Sequence, residues 1–417
     1  MSADIALPLA NILRGAFGAA AYACAAFTAA FTAASLFAAW RFRAAQREEA
    51  AGPRVGAAGH GGSAEDWTPP LTILKPIRGI DAGMEENLAS FLDQEYPRFQ
   101  TLYCVQDPAD PALPLLERLR DRFPKADVDI VISKSRIGYN PKINNLSNAY
   151  GFVKHEFVMI SDSDIRVDRD FLRRLVQPMR DPSIGLLTCF YRSICAEGFG
   201  SRLESLSVNA QFLPQTLVAA FLGGMKFALG AVMLARRSAF EAAGGLEAMS
   251  EHLADDFVLG RSVADAGYRV EFSPLMVGSV PERFTPGQQF AHLVRWSRTI
   301  RLCNPAGYAG TVVLHGGPLL LLYSLLGGGL RALAAFALLE AWRVAAMAWM
   351  HAGLLDDREA LRNLPWLPLS DLLQFTAWAA GLSSASVMWR GESYAVTTGG
   401  RLVPRRGKAA ALRAGAV

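Results

Sequence analysis

The chain has 417 residues, 51% of them apolar and 19% charged, with a formal net charge of +4. That mixture is too apolar for a purely soluble enzyme and too charged for an all-membrane bundle, and the excess hydrophobicity sits at the two ends. The charge is too small and scattered for a nucleic-acid-binding protein, so no nucleic acid is expected as a partner, although a mildly basic chain suits an anionic membrane surface.

Residues 16–40 (AFGAAAYACAAFTAAFTAASLFAAW) carry no charge and can span roughly 30 Å of hydrocarbon as a helix. Arg41, Arg43 and Arg47 follow, whereas Arg14 alone precedes, which places the Arg41 end in the cytoplasm. No A-x-A cleavage pattern stands out, so the segment reads as an N-terminal transmembrane anchor and not a removed signal. Residues 41–68, rich in Gly, Ala and Glu, read as a linker. The texture then changes. β-Type runs at 71–77, 99–106, 128–133 and 157–161 alternate with helical stretches, one of which sets Leu116, Leu119 and Phe123 on a single face. This order predicts an α/β domain over residues 69–305 built on a parallel, doubly wound sheet, with ligands beyond the carboxyl ends of its strands.

Residues 306–390 are apolar again. Two stretches flanking Arg331 read as a helical hairpin, within which Glu340 and Arg343 lie one turn apart and can pair, since lone charges in lipid are costly. A third segment covers 365–389. The tail over 391–417 holds Arg401, Arg405, Arg406, Lys408 and Arg413 and favours the cytoplasm, yet three full C-terminal spans would leave it outside. The conflict predicts one re-entrant or interfacial segment, and the candidate is the one with Pro365, Pro368, Asp371 and Gln374. The five cysteines form no CxxC pair, which argues against a zinc site or a disulfide framework and fits a reducing cytosol.

The chemistry centres on FVMISDSDIRVDRD, residues 157–170, where an apolar run ends on Asp162 and Asp164. Strand alternation would turn both carboxylates to one side, a pair of hard oxygen donors suited to Mg2+ or Mn2+ holding a diphosphate. A turn with a helix N-cap explains the same letters. Asp107 and Asp110 in VQDPAD are equally a proline-stabilised turn, and Lys142, Asn144 and Asn145 in GYNPKINNLSNAY an ordinary capped helix. Asp255 and Asp256 stand at an expected helix start, where the macrodipole favours acids anyway. Arg295, Trp296, Arg298 and Arg301 precede the first C-terminal apolar segment, where snorkelling arginines and an interfacial tryptophan are common. Each motif alone has an ordinary reading; their joint occurrence in one α/β domain does not.

Together, VQDPAD, NPKINNL, SDSDIRV, GGLEAMSEHLADDF and HLVRW resemble the ceramide glucosyltransferase family of GT-A glycosyltransferases, which includes bacterial hopanoid-biosynthesis-associated enzymes. The resemblance covers roughly residues 70–305 and implies a GT-A (Rossmann-like) domain between N- and C-terminal transmembrane helices. It implies Asp107 at the uracil or ribose, Asp162 and Asp164 at the metal and diphosphate, and Asp256 as general base with Asp255 as its rival. Lys142 and Asn144 fall in the donor-binding set, and Arg295 and Trp296 match a (Q/R)xxRW motif linked to the diphosphate and acceptor. His292 stands where that motif has Gln or Arg, which leaves the position's role open.

The function implied is inverting, metal-dependent transfer of a hexose, glucose or N-acetylglucosamine, from a UDP-sugar to a hydroxyl of a membrane lipid. The acceptor reading leans to a hopanoid, with ceramide as the alternative, in a bacterial inner membrane with the catalytic domain cytoplasmic. A processive polysaccharide synthase would want a second cluster of long spans, which the sequence lacks. A non-catalytic membrane scaffold that keeps a nucleotide-binding fold is the reading from another class, and the intact acidic motifs argue against it.

Overall fold

The computed structural model describes residues 3–50, 67–223, 226–384, 386–389, 392–397 and 399–404. Two compact units separate: Met1–Ala44, Glu197–Phe221 and Phe284–Ala385 form one, and Ala45–Ala196, Leu222–Arg283 and Ser386–Val417 the other. The boundaries differ from those expected, because a helical excursion within 69–305 groups with the apolar ends.

The second unit carries an eight-stranded sheet. Its strands are β1 Leu71–Ile77, β2 Phe99–Val105, β3 Asp127–Ile132, β4 Phe157–Ser161, β5 Ile165–Arg166, β6 Ile184–Ser193, β7 Val232–Arg236 and β8 Arg269–Ser279. They lie in the order β3-β2-β1-β4-β7-β6-β8-β5. The first four are parallel, with Leu71 between Phe99 and Phe157. Both faces of β1 and β4 are buried, which explains their nearly unbroken apolar runs. Leu71, Ile73, Phe157 and Met159 pack on one face with Leu172 and Leu234. Leu74, Val158 and Ile160 pack on the other with Ile143 and Leu259.

The sheet is mixed and not wholly parallel. β7 runs antiparallel to both β4 and β6, while β6 and β8 are parallel. The chain re-enters the sheet at the end where β6 left it, so β7 runs back beside β6 without a crossover. A smaller antiparallel sheet of β9 Ser386–Trp389, β10 Glu392–Val396 and β11 Leu402–Pro404 belongs to the same unit. Part of the expected basic tail is therefore strand; Arg405, Arg406, Lys408 and Arg413 lie outside the described residues.

The first unit is helical. The helix Ala3–Ala50 runs on past the expected end of the anchor at residue 40, and most of the expected linker, residues 51–66, lies outside the described residues. Two helices, Ala10–Glu49 and Gly316–Leu354, are long and apolar enough to cross a membrane by length and composition. The second is bent, because Gly327 (φ 115°) breaks its helical path. Its arms fold back so that Leu320 and Leu339 share an apolar cluster with Ala21 and Ala25. The hairpin thus turns at Gly327, a position whose positive φ only glycine adopts at no steric cost.

Arg343 lies 3.8 Å from Glu340, as expected, but its nearer partner is Asp371 of the third segment. Asp371 also accepts a hydrogen bond from Gln211 at 2.7 Å. That third segment is not one helix: a 3-10 stretch Ala360–Trp366 leads into Leu367–Gly381, and β9 follows.

Candidate active site

Asp162 and Asp164 lie just beyond the end of β4, in the turn before β5, so strand alternation does not govern them. Neither caps the following helix, whose N-cap residue is Asp170. Asp162 Oδ1 instead meets Lys142 Nζ at 2.7 Å. Asp164 Oδ2 accepts from Ser279 Oγ at 2.8 Å, and its carbonyl accepts from Val280 N at 2.9 Å, which ties the turn to the end of β8.

Lys142 joins two motifs. Its ammonium also lies 3.3 Å from Asp255 Oδ2, so the acids after β4 and those opening the helix Asp255–Asp265 meet on one cation. Burial alone would lower the Lys142 pKa, but the charges of Asp162, Asp255 and Asp256 outweigh it and hold the amine above its ordinary value. Asp256 Oδ2 accepts from Gly230 N at 3.0 Å, and its Oδ1 from Phe257 N at 2.8 Å. A Cβ on Gly230 would stand 3.2 Å from Asp256 Oδ2 and 3.7 Å from Lys142 Nζ, so the backbone approaches the acid closely because no side chain intervenes.

Burial, and then the charge of neighbouring acids, disfavours the ionised carboxylates. Asp164 is pushed up to about 7 by burial and by Asp162, with the Ser279 hydroxyl opposing. Asp256 is pushed up to about 6 by burial and by Asp255, with Lys142 opposing. Among the described residues no group of three or more His, Cys, Asp or Glu side chains could hold a metal ion. The donor set at Asp162 and Asp164 still fits Mg2+ or Mn2+, which take one or two carboxylates and complete their shell with phosphate and water. A half-buried acid pressed against like charges is also stabilised by a cation.

The NPKINN motif builds the site's floor. Asn140 caps the helix Pro141–Tyr150 by accepting from Lys142 N and Ile143 N, and donates Nδ2 to His252 O at 2.8 Å. Asn144, expected among the donor-binding residues, gives its amide to the loop before it: Oδ1 accepts from Ile137 N and Gly138 N, and Nδ2 donates to Gly138 O. Asn145 Nδ2 donates to Ile77 O at 3.0 Å. Asp107 is exposed just after β2 and accepts from Ala109 N at 3.0 Å, the geometry of a proline turn with the carboxylate at the strand's end. Asp110 is buried and receives Gly79 N and Ala112 N, a purely bracing role.

Arg295 and Trp296 lie in the other unit, on the helix Pro286–Cys303. There the Trp296 ring packs 5.1 Å from that of His292 and 5.9 Å from that of Phe212. His292 Nδ1 is 3.3 Å from Glu204 Oε1. Arg301 donates to Ser384 O at 2.6 Å and is held within the unit instead of snorkelling.

One residue escaped the sequence reading. Lys75 of β1 is fully buried, donates 2.9 Å hydrogen bonds to Ser161 Oγ and Asp162 O, and lies 3.3 Å over the Phe91 ring. Burial holds its pKa well below the lysine range, with Asp162 and Asp164 pulling it back up. The signal was present: a lysine inside LTILKPI, an otherwise apolar strand, is a buried charge that needs a partner.

The family model described as Glycosyl transferase family 21 matches residues 21–402. Ceramide glucosyltransferase 1 of Caenorhabditis elegans is 28% identical over 206 residues, 49% of this chain and 44% of that protein. The ceramide glucosyltransferase of Komagataella phaffii is 38% identical over 113 residues, 26% of this chain and 22% of that protein. The chain thus matches less than half the length of these curated relatives. Among solved structures, a mannosyltransferase from Pyrobaculum calidifontis in complex with GDP-Man and Mn2+ covers 88% of this chain and 99% of its own, at 20% identity and a TM-score of 0.49. On the family match, which takes in both the α/β sheet and the helical unit, the chain belongs to glycosyl transferase family 21.

Proposed function

We propose that the protein is a membrane-embedded glycosyltransferase that moves a hexose from a UDP-sugar to a hydroxyl of a membrane lipid, with inversion at the anomeric carbon. The observation that carries this reading is Lys142, whose ammonium gathers Asp162 and Asp255 and so brings two acidic motifs, distant in sequence, to one place. A leaving diphosphate needs cationic support on one side, and an attacking hydroxyl needs a base on the other.

In this reading Asp256 takes the proton of the acceptor hydroxyl as its oxygen attacks the anomeric carbon, and UDP departs with the bonding pair. Asp256 is suited to that work because its environment raises it to about 6, near the operating range, while the N–H groups of Gly230 and Phe257 fix its orientation. Asp255 stays paired with Lys142, which favours Asp256 as the base. Asp164 and Asp162 would hold Mg2+ or Mn2+, which when bound neutralises charge developing on the diphosphate. Lys142 supplies further positive charge, Asp107 meets the uracil or ribose, and Arg295 and Trp296 keep the diphosphate and acceptor roles that the motif resemblance implies.

The two long apolar helices support a bilayer location, which an amphiphilic acceptor would require. The relatives are ceramide glucosyltransferases by name, which supports ceramide, whereas the sequence motifs lean to a hopanoid. Purified protein given UDP-glucose or UDP-N-acetylglucosamine, with ceramide or bacteriohopanetetrol in separate reactions, decides donor and acceptor together. UDP release with no glycolipid from any pair would overturn the lipid reading. No release at all would favour the scaffold.

A further inference from the structure

The segment that leads into the proposed base has little structure of its own. Residues 250–254 lie between a 3-10 turn, Glu247–Met249, and the helix opened by Asp255 and Asp256. On one side it is held by the NPKINN motif: Asn140 N donates to Ser250 O and Asn140 Nδ2 to His252 O, each at 2.8 Å. A Cβ on Gly138 would stand within 2.7 Å of the Ser250 carbonyl carbon, so this contact depends on a glycine there.

The other side is held from the far end of the chain. Leu253 N donates to Gly400 O at 3.0 Å and Leu402 N to Glu251 O at 2.7 Å, which sets His252 opposite Arg401 in an antiparallel bridge. The Leu402 side chain is buried, and the Arg401 guanidinium pairs with Glu251. A tight turn presents this strand: Gly400 N donates to Thr397 O and Thr397 N to Arg401 O, with Gly399 and Gly400 at φ 98° and 82°. Both angles lie in the left-handed region that glycine tolerates, so the Gly-Gly pair encodes the turn.

We propose that Gly400–Leu402 is a positioning strap for the catalytic acids. By pairing with residues 251–253, it fixes the entry of the helix that presents Asp255 to Lys142 and Asp256 to the acceptor. The exposed Arg401–Glu251 pair adds little by itself. The backbone pairing and the buried Leu402 do the holding, and a base displaced by about an ångström loses much of its rate. This inference rests on the assignment of Asp256 as base.

The test uses the full-length protein and three readouts. Replacing Leu402 by Pro deletes the N–H given to Glu251; kcat for UDP release should fall at least about tenfold with UDP-sugar KM within about twofold. Leu402→Val, which keeps the N–H, should retain turnover. Amide exchange at residues 251–257 should quicken in Leu402→Pro and not in Leu402→Val. Unchanged kcat in Leu402→Pro, or a fall without faster exchange, would overturn the proposal.

If Leu402→Pro does not fold, a His252→Cys, Arg401→Cys pair decides. Opposed residues of a non-hydrogen-bonded antiparallel pair lie about 4.5 Å apart, within disulfide range. The oxidised pair should form the bond and keep turnover within about twofold of its reduced form. A folded protein that forms no such bond overturns the strap. If wild-type protein releases no UDP, the functional reading fails, while exchange and cross-linking still decide whether the strap is docked.

Discussion

Lys75 Nζ, closed off from water within the sheet, donates to Ser161 Oγ and to the carbonyl of Asp162, each at 2.9 Å. A buried lysine on β1 thus holds the backbone from which the proposed metal-binding acids project. A methionine of similar length keeps the packing on Phe91, and leaving the Ser161 and Asp162 acceptors without the amine costs about 1–3 kcal/mol. Lys75→Met should therefore keep its melting temperature within a few degrees while UDP release falls at least about tenfold. A large drop in melting temperature would show instead that Lys75 serves stability alone.

Asp256 should control the acid limb of the rate profile. The base must be ionised and its pKa lies at about 6, so kcat falls as pH drops through that value. Asp256→Asn should lower kcat by about 10^2 to 10^4-fold and abolish this limb. An intact acid limb in a residually active Asp256→Asn protein would move the base to Asp255.

Stability should fall with rising pH in metal-free protein. Asp164 is raised from an ordinary 3.8 to about 7 and Asp256 to about 6, so between about pH 4 and 7 the folded state binds more protons than the unfolded one. Stability contributed by these acids is then present at low pH and lost as pH climbs through that window. Melting of the EDTA-treated protein should show this slope, Asp164→Asn should flatten it, and Mg2+ or Mn2+ should restore stability near neutral pH. A melting temperature that rises across the window would contradict the environment described for Asp164.

His292 holds Trp296 from one side and Glu204 from the other. A glutamine amide can lie against Glu204 as the imidazole does, so His292→Gln should stay within about threefold of wild-type kcat. His292→Ala frees the indole and should raise acceptor KM about tenfold with donor KM unchanged. Equal changes in both KM values would argue for a general loss of structure.

If the protein is embedded in a bilayer as proposed, the pairing of Gly400–Leu402 with residues 251–253 puts the strap and the α/β sheet on one side of it. The chain between residues 283 and 386 should then cross an even number of times, as one re-entrant or interfacial segment would require. Labelling of single cysteines placed at 107 and 399 with a membrane-impermeant reagent should give the same sidedness in intact and opened vesicles. Opposite sidedness would rule out the pairing.

β1, β2 and β4 were readable because each is buried on both faces and so appears as an apolar run, and the edge strand β3 from the alternating β-branched residues of DVDIVI. The helix of Leu116 and Leu119 was readable from its period. β7 was not, since VMLAR looks alike in either direction and only the path of the chain sets its orientation. β9 was absorbed into the apolar segment 365–389 and β10 and β11 into the basic tail, because an arginine that pairs with Glu251 reads the same as one in a solvated tail. The contacts of Asn144 were not readable either: an amide that braces Gly138 and one that binds a ligand are the same letter.

By itself the sequence determined the residue types at the site: two acids after a strand, two at a helix start, a lysine between them and apolar ends. These follow from local pattern, which composition and spacing record directly. The tertiary structure decided which acid meets which cation, that Lys75 lies beneath Asp162, and that residues 400–402 hold the segment before Asp256. Such contacts join positions tens to hundreds of residues apart. Burial and like-charge crowding, which raise Asp164 and Asp256, exist only once those positions are brought together.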